Sequence, residues 1–304
     1  MESFWRSLPG TVLVVLIIAI LTAAGAIGIQ TYRATHPPRQ ADEKSDLGAF
    51  LSHVEEVRFR SADGTDLAGW LVRGAPGGSP VVLCHDLGDG KGSLVNLAIA
   101  LQDAGFTALA FDFRGHGKSG GEGSTLGIAE KRDVLGALDY VSELRDVDAR
   151  RIGLYGVGLG AHAAVLAAAD RPAAKVLVLD GIYPDAGYPL ARKVYAGWGF
   201  GCRYLGVFPR LAFHLLTDTP ARRETATAVL PHLLSRDLLF VAPAGDAALA
   251  AEMQRLYASV PEQREVDANL IVLPATRASH LYGEELDRYN RRISEFFEKR
   301  LRRR

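Results

Sequence analysis

From Pro80 onward the chain alternates short, continuously apolar runs with helix-length stretches, and this alternation constrains the fold more than any other feature. "PVVLCH" (Pro80–His85), "TALAFDF", "RIGLYG", "KVLVLD", "LLFVAPAG" and "NLIVLPA" read as strands buried on both faces. Between them lie helix-like segments at Leu94–Ala104, Gly127–Leu144, Gly160–Ala169 and Ala248–Ser259, and Glu284–Arg302 closes the chain as a terminal helix. Parallel strands need such crossover segments. The pattern therefore predicts an α/β fold, a mostly parallel sheet with helices on both faces. Two further strand-like runs, Val54–Arg60 and Asp66–Val72, meet at the turn residues Asp63-Gly64. Gly181 to Asp237 breaks the alternation. It reads as a helical cap insertion, about residues 181–236, over the C-terminal edge of the sheet, where open α/β folds bind ligands.

The amino-terminal end is of another kind. "TVLVVLIIAILTAAGAIGI", Thr11–Ile29, is an uncharged run long enough to cross a bilayer as a helix. Trp5 and Tyr32 flank it as interfacial anchors, with Arg6 and Arg33 outside them. A cleaved signal peptide is the competing reading, since Ala24-Gly-Ala26 resembles a cleavage site; the apolar run continues past it, which favours a retained transmembrane helix. The expected organisation is an anchor over residues 1–32, a polar linker with a Pro pair over 33–46, and a folded domain over 47–304. The bilayer, met through residues 11–29, is the expected partner. The side of the membrane stays open; counting Lys/Arg tips the domain towards the cytoplasm.

Composition excludes several classes. Lys+Arg and Asp+Glu both number 35, so no global field draws nucleic acid. Cys84 and Cys202 are the only cysteines and make no disulfide framework. No CxxC, HExxH or clustered His/Asp spacing marks a metal or cofactor site, and none is expected. The basic tail Glu298–Arg304 suits a helix C-terminus, where cations complement the macrodipole; a weak contact with anionic lipid is its other reading.

Chemistry concentrates in five segments. "LCHDLGDG" follows the first buried strand, "FDFRGHGKSGGEG" the next, and "GLYGVGLGAHAA" turns from strand to helix. "APAGD" and "RASHLYGEELDRYNRRISEFFEKRL" come last. In this order they resemble the α/β-hydrolase family, most closely its membrane-anchored, serine-aminopeptidase-like and acyl-hydrolase branch, over about Val54–Leu301. The resemblance implies an α/β-hydrolase fold, an oxyanion hole from the backbone N–H groups of Leu87 and Leu159, an acid at Asp246 and a base at His280. It also implies a nucleophilic serine at the tip of the elbow, and there the chain carries Gly158.

Gly156 and Gly160 supply the small residues such a turn needs, while Val157, Leu159 and Ala161 offer no attacking atom. A second departure lies in the oxyanion loop, where Asp86 stands in place of the family's usual glycine. Its carboxylate would oppose developing negative charge, or else orient a water or bind a cationic group. Asp180, ending "VLVLD", is the alternative acid. Ser119 reads as a loop residue bonded to its own backbone; Arg114, His116 and His85 read as structural, and His162 as a surface or packing residue. The cap aromatics Tyr195, Trp198, Phe200, Tyr204, Phe208 and Phe213 pack onto the sheet, or line an apolar pocket or a face against the bilayer.

Three functions remain open at this point. The first is a pseudoenzyme that binds a ligand, an acyl-type small molecule among them, or a partner. The second is a hydrolase of an ester, thioester or amide that uses a His280-activated water. The third is a membrane-proximal platform with a vestigial cleft.

Overall fold

The computed structural model describes residues 2–39, 54–198, 213, 224–233, 235–260, 268–273 and 281–302. They divide into two compact units, one of Met1–Thr35 with Gly187–Thr219 and one of His36–Ala186 with Pro220–Arg304.

In the first unit, α1 (Glu2–Thr35) is a single helix whose stretch Val12–Thr35 is long and apolar enough to cross a membrane, with a mean hydropathy of 2.9. Leu13, Leu16 and Leu21 are exposed along it. A second helix, α2 (Gly187–Trp198), belongs to the same unit.

The second unit is built on an eight-stranded sheet: β1 (Val54–Arg60), β2 (Asp66–Val72), β3 (Pro80–Cys84), β4 (Thr107–Phe111), β5 (Ile152–Val157), β6 (Ala174–Asp180), β7 (Asp237–Pro243) and β8 (Ala268–Leu273). The spatial order is β1-β2-β4-β3-β5-β6-β7-β8. The β1–β2 hairpin and the β2–β4 pair are antiparallel, and every later pair is parallel. Every residue of β3, β4 and β5 is buried, which accounts for their unbroken apolar sequence.

Helices α3 (Val95–Asp103) and α4 (Glu284–Leu301) pack together on one side of the sheet, and α5 (Glu130–Ser142) and α6 (Leu159–Asp170) pack together on β1, β3, β5 and β6. A further helix, α7 (Ala247–Ser259), lies on β7 and β8, and a single turn, α8 (Ala226–Val229), precedes β7. The core includes Leu83, Leu97, Leu101, Phe106, Tyr155, Val176, Leu239, Ile293 and Phe297. Burying each such side chain contributes about 1.5–3 kcal/mol.

One helix starts later than its sequence pattern. The apolar spacing suggests Gly127, yet α5 begins at Glu130. Leu126 and Gly127 have φ of 54° and 104°, and the buried Glu130 carboxylate accepts the N–H groups of Thr125 and Gly127 and the hydroxyls of Ser124 and Thr125. That carboxylate holds residues 124–127 as a tight loop in place of a first helical turn. Of the cap insertion, residues 199–212 and 214–223 lie outside the described residues, and among the aromatics named above only Phe213, buried, has a described side chain.

Candidate functional site

Strands β3 and β5 are parallel neighbours, with Cys84 opposite Gly156, so the loops leaving their C-terminal ends emerge side by side. One carries His85–Gly88 and the other turns at Gly158 into α6. Gly158 has φ 50° and ψ −107°, a backbone conformation that costs a side-chain-bearing residue about 1–3 kcal/mol. Its N–H donates to the Asp180 carbonyl at 2.8 Å, and its carbonyl accepts the first turn of the helix from His162 N at 3.1 Å. At Gly160 a Cβ would run into the Cys84 carbonyl, so the helix reaches the sheet this closely only with glycine there.

The turn aims the first N–H of α6, that of Leu159, into the gap between the two loops, and the N–H of Leu87 points to the same place. Both donate to one oxygen, Asp86 Oδ1, from Leu87 at 2.8 Å and from Leu159 at 2.9 Å. The pair of donors that the family resemblance assigns to a substrate oxyanion thus holds a carboxylate of the chain itself. The positive end of the helix dipole adds to the hold. The same carboxylate lies against the bare face of Gly158. A Cβ there would overlap Oδ1 and Cγ and would meet Oδ2 at 2.8 Å. Asp86 therefore fills both the oxyanion position and the space of the missing side chain.

Two imidazoles bracket this loop. His85 Nε2 accepts the Phe113 N–H at 3.0 Å, so its proton is on Nδ1, which donates to the Asp86 carbonyl at 2.7 Å. Burial, reinforced by the neighbouring His116, pushes the His85 pKa down to about 3, which keeps the ring neutral. His116 Nε2 accepts the Gly88 N–H at 3.2 Å, and its Nδ1 donates to the Arg114 carbonyl at 2.9 Å. Below them, Lys91 Nζ pairs with Asp112 Oδ2 at 2.6 Å, both side chains almost wholly buried, and lies 4.8 Å from the centre of the Trp70 ring. Asp112 also accepts the N–H groups of Lys91 and Lys118. These contacts tie residues 85–91 to residues 112–118 as one piece.

The other candidates fall into place around this centre. Asp180 accepts the hydroxyl of Tyr289, from α4, at 2.8 Å, and Tyr289 is 2.9 Å from the Tyr155 hydroxyl. Tyr289 has spent its one proton on Asp180, so Tyr155 donates to Tyr289. Asp86, Tyr155, Val157, Tyr289 and Asn290 line a cavity of about 40 Å³, room for one water. Asp246 caps α7, accepting the Leu249 N–H at 3.0 Å. His280 lies outside the described residues, and with it the expected Asp246–His280 pair. Ser119 is buried, donating to the Asp112 carbonyl and accepting the Ala68 N–H. Arg114 forks onto Asp133 and reaches Asp63, which it helps to hold well below the usual carboxylate range.

His162 is fully buried, stacked 4.8 Å from Tyr183, and its Nδ1 meets the Tyr183 carbonyl at 3.2 Å. Its Nε2 is one of the buried polar atoms with no hydrogen-bond partner, and burial lowers its pKa to about 4. Sequence reasoning missed the tyrosine chain, the buried Lys91–Asp112 pair and the contacts of Arg39. Arg39 lies in the polar linker, yet its guanidinium donates to the carbonyls of Gly117, Ser119 and Gly121. Only Lys91, a cation set between a buried strand and a helix, gave a signal in the sequence.

Comparison with known proteins bears on the family and the fold. A family profile described as serine aminopeptidase, S33, matches residues 78–242. The uncharacterized protein Rv2307c of Mycobacterium tuberculosis is 33% identical over 178 residues, 57% of this chain and 60% of that protein. The uncharacterized protein YfhR of Escherichia coli K12 is 28% identical over 155 residues, 48% of this chain and 53% of its own. The chain thus spans little more than half the length of these relatives. Among solved structures, the esterase Pf2001 of Pyrococcus furiosus superposes with a TM-score of 0.67 at 19% identity, covering 88% of this chain and 98% of its own. Dienelactone hydrolase from Anabaena variabilis gives 0.56 at 18% identity, covering 82% and 100%.

Proposed function

Since the chain belongs to the serine aminopeptidase S33 family of α/β hydrolases, yet has glycine at the tip of its elbow, we propose that it is a membrane-anchored pseudoenzyme that binds an acyl-type ligand or a partner without covalent catalysis. The Lys/Arg count around α1 supports a cytoplasmic rather than an external position for the sheet-bearing unit. The observation that carries the reading is the seat of Asp86 Oδ1 on the N–H groups of Leu87 and Leu159. Any hydrolysis of a carbonyl compound, by serine or by water, builds negative charge on the carbonyl oxygen. Losing one such donor costs a hydrolase about 2.7–4 kcal/mol of transition-state stabilisation. Here both are taken, and by a group that repels the charge. This counts against a His280-activated water as much as against an acyl-enzyme.

The test is hydrolysis of a short-chain activated ester together with labelling by a fluorophosphonate probe. Wild type and Gly158→Ser are expected to be silent in both. The double variant Asp86→Gly with Gly158→Ser is expected to label and turn over, and to lose turnover when His280→Ala is added. Ester turnover by wild type, abolished by His280→Ala, would sink the pseudoenzyme reading and restore the water mechanism.

A further inference from the structure

Strand β8 is the last of the sheet, and its two faces are covered differently. Side chains alternate along β7, and Phe240 meets Tyr257 of α7 edge-on at 5.7 Å, so α7 covers the Phe240 face. Val241, the next residue, points to the opposite face. Ile271 of β8 is its partner in the pairing, so the two side chains stand together there. The helix on that face is α4, and it lies over β5 and β6. Between α4 and the two outer strands is a cavity of about 390 Å³, within the range of small-molecule sites. Val241, Ile271, Leu281 and Ile293 make its apolar wall.

The rest of the lining comes from α4. Glu285, Arg288, Tyr289, Arg292 and Ile293 fall at i, i+3, i+4, i+7 and i+8, which is one face of a helix. A stripe that packed on the sheet along its whole length would be apolar throughout. Here Tyr289 and Ile293 are buried, while Glu285, Arg288 and Arg292 are exposed. Arg288 and Arg292, one turn apart, thus stand beside an apolar cavity. Arg288 Nε donates to the Glu284 carbonyl at 3.3 Å, and among the described residues neither guanidinium is paired with a carboxylate. Glu285 opposes them with one negative charge, so the rim carries a net single positive charge.

We propose that this cavity binds a free single-chain monocarboxylate, a medium-chain fatty acid, with its chain along Val241, Ile271, Leu281 and Ile293 and its carboxylate on Arg288 and Arg292. A planar guanidinium matches a carboxylate with two parallel N–H donors, and two of them one turn apart can share one head group. The single net charge of the rim suits one carboxylate and disfavours a phosphate dianion. From Glu285 to Ile293 the stripe rises about 12 Å, enough to lay one such chain beside it. The proposal does not rest on the absence of catalysis at the elbow. The cavity is distinct from the one beside Asp86, and Tyr289 is the residue common to both linings.

The experiment uses the full chain in phosphatidylcholine nanodiscs and a decanoic acid that carries a photoreactive diazirine in its chain. Labelled peptides are mapped by mass spectrometry. Labels are expected in the peptides that contain Val241, Ile271, Leu281 and Ile293, suppressed by free decanoate and not by decyltrimethylammonium. Arg288→Gln combined with Arg292→Gln, both at exposed positions, should raise the decanoate concentration for half suppression about tenfold. Ile271→Trp, which fills the cavity, should abolish the labels. Labels confined to other peptides, equal suppression by the cationic analogue, or labelling that neither variant changes would overturn the proposal. Suppression by an anionic phospholipid in the disc but not by free decanoate would overturn it too, and would assign the site to a membrane headgroup. Each of these outcomes leaves the ester and fluorophosphonate tests of the elbow untouched.

Discussion

The carboxylate of Asp86 and the Cα of Gly158 are in contact, and each is explained by the other. Asp86 has its place because residue 158 has no side chain, and Gly158 accepts φ 50° at little cost because glycine populates that region freely.

It follows that the two positions are coupled in stability. Gly158→Ser should destabilise by about 2–4 kcal/mol, combining backbone strain with overpacking against the carboxylate. Asp86→Gly in the same chain should recover the overpacking part and leave the strain. Chemical unfolding of the two single variants and the double variant closes a mutant cycle. Strict additivity would mean that the carboxylate moves aside freely and the contact carries no energy.

The buried pair Lys91–Asp112 should be costly to break and cheap to neutralise. Lys91→Met leaves a buried carboxylate with only backbone donors and should lose about 3–5 kcal/mol. Adding Asp112→Asn removes the orphaned charge while keeping an acceptor for those donors, and should regain a good part of the loss. Urea midpoints of the three variants decide the matter; equal midpoints for the single and double variants would assign the loss to packing.

Along the tyrosine chain, position should matter more than residue type. Tyr289→Phe removes the donor to Asp180 and the acceptor of Tyr155 together, whereas Tyr155→Phe removes only the outer donor. The first should cost about 1–3 kcal/mol and the second less, because a buried polar group left unpaired is the expensive outcome. Burial holds both phenols protonated, so the difference should be independent of pH between 5 and 9.

Acid should unfold this protein through its histidines. His85 and His162 have folded-state pKa values lowered by burial to about 3 and about 4, against 6.5 in the unfolded chain. Below pH 6.5 the unfolded state takes up protons that the folded state refuses. Their stabilising contribution is therefore complete above pH 6.5 and is lost as pH falls toward 4. Each group adds a slope approaching about 1.4 kcal/mol per pH unit in that window. Thermal midpoints between pH 7 and 4.5 give the slope, and His162→Phe should flatten it by about half. An unchanged slope would place the acid sensitivity elsewhere.

Much of the fold could be read in the sequence because its parallel strands are buried on both faces. The hairpin Val54–Arg60 and Asp66–Val72 and strands such as Pro80–Cys84 stand where their apolar runs stand. The α/β-hydrolase fold and the family follow from five motif segments in order. Less legible was anything set by side-chain direction. That Asp86 replaces a glycine is visible in the sequence; that its carboxylate turns back onto the N–H groups of Leu87 and Leu159 depends on two loops meeting across β3 and β5. The setting of His162 escaped for a similar reason. Helix α6 is buried on nearly every side, so no polar stripe marks which of its faces meets solvent. Arg39 leaves no trace, because its three acceptors are backbone carbonyls of a loop some 80 residues away.

The overlap between a side chain at residue 158 and the Asp86 carboxylate also makes the two positions mutually exclusive in this geometry. Position 158 can carry a side chain only if the carboxylate leaves the N–H groups of Leu87 and Leu159, and the carboxylate keeps that seat only while 158 stays bare. The pair is an interlock with a fixed order of opening: residue 86 has to be released before residue 158 can be refitted.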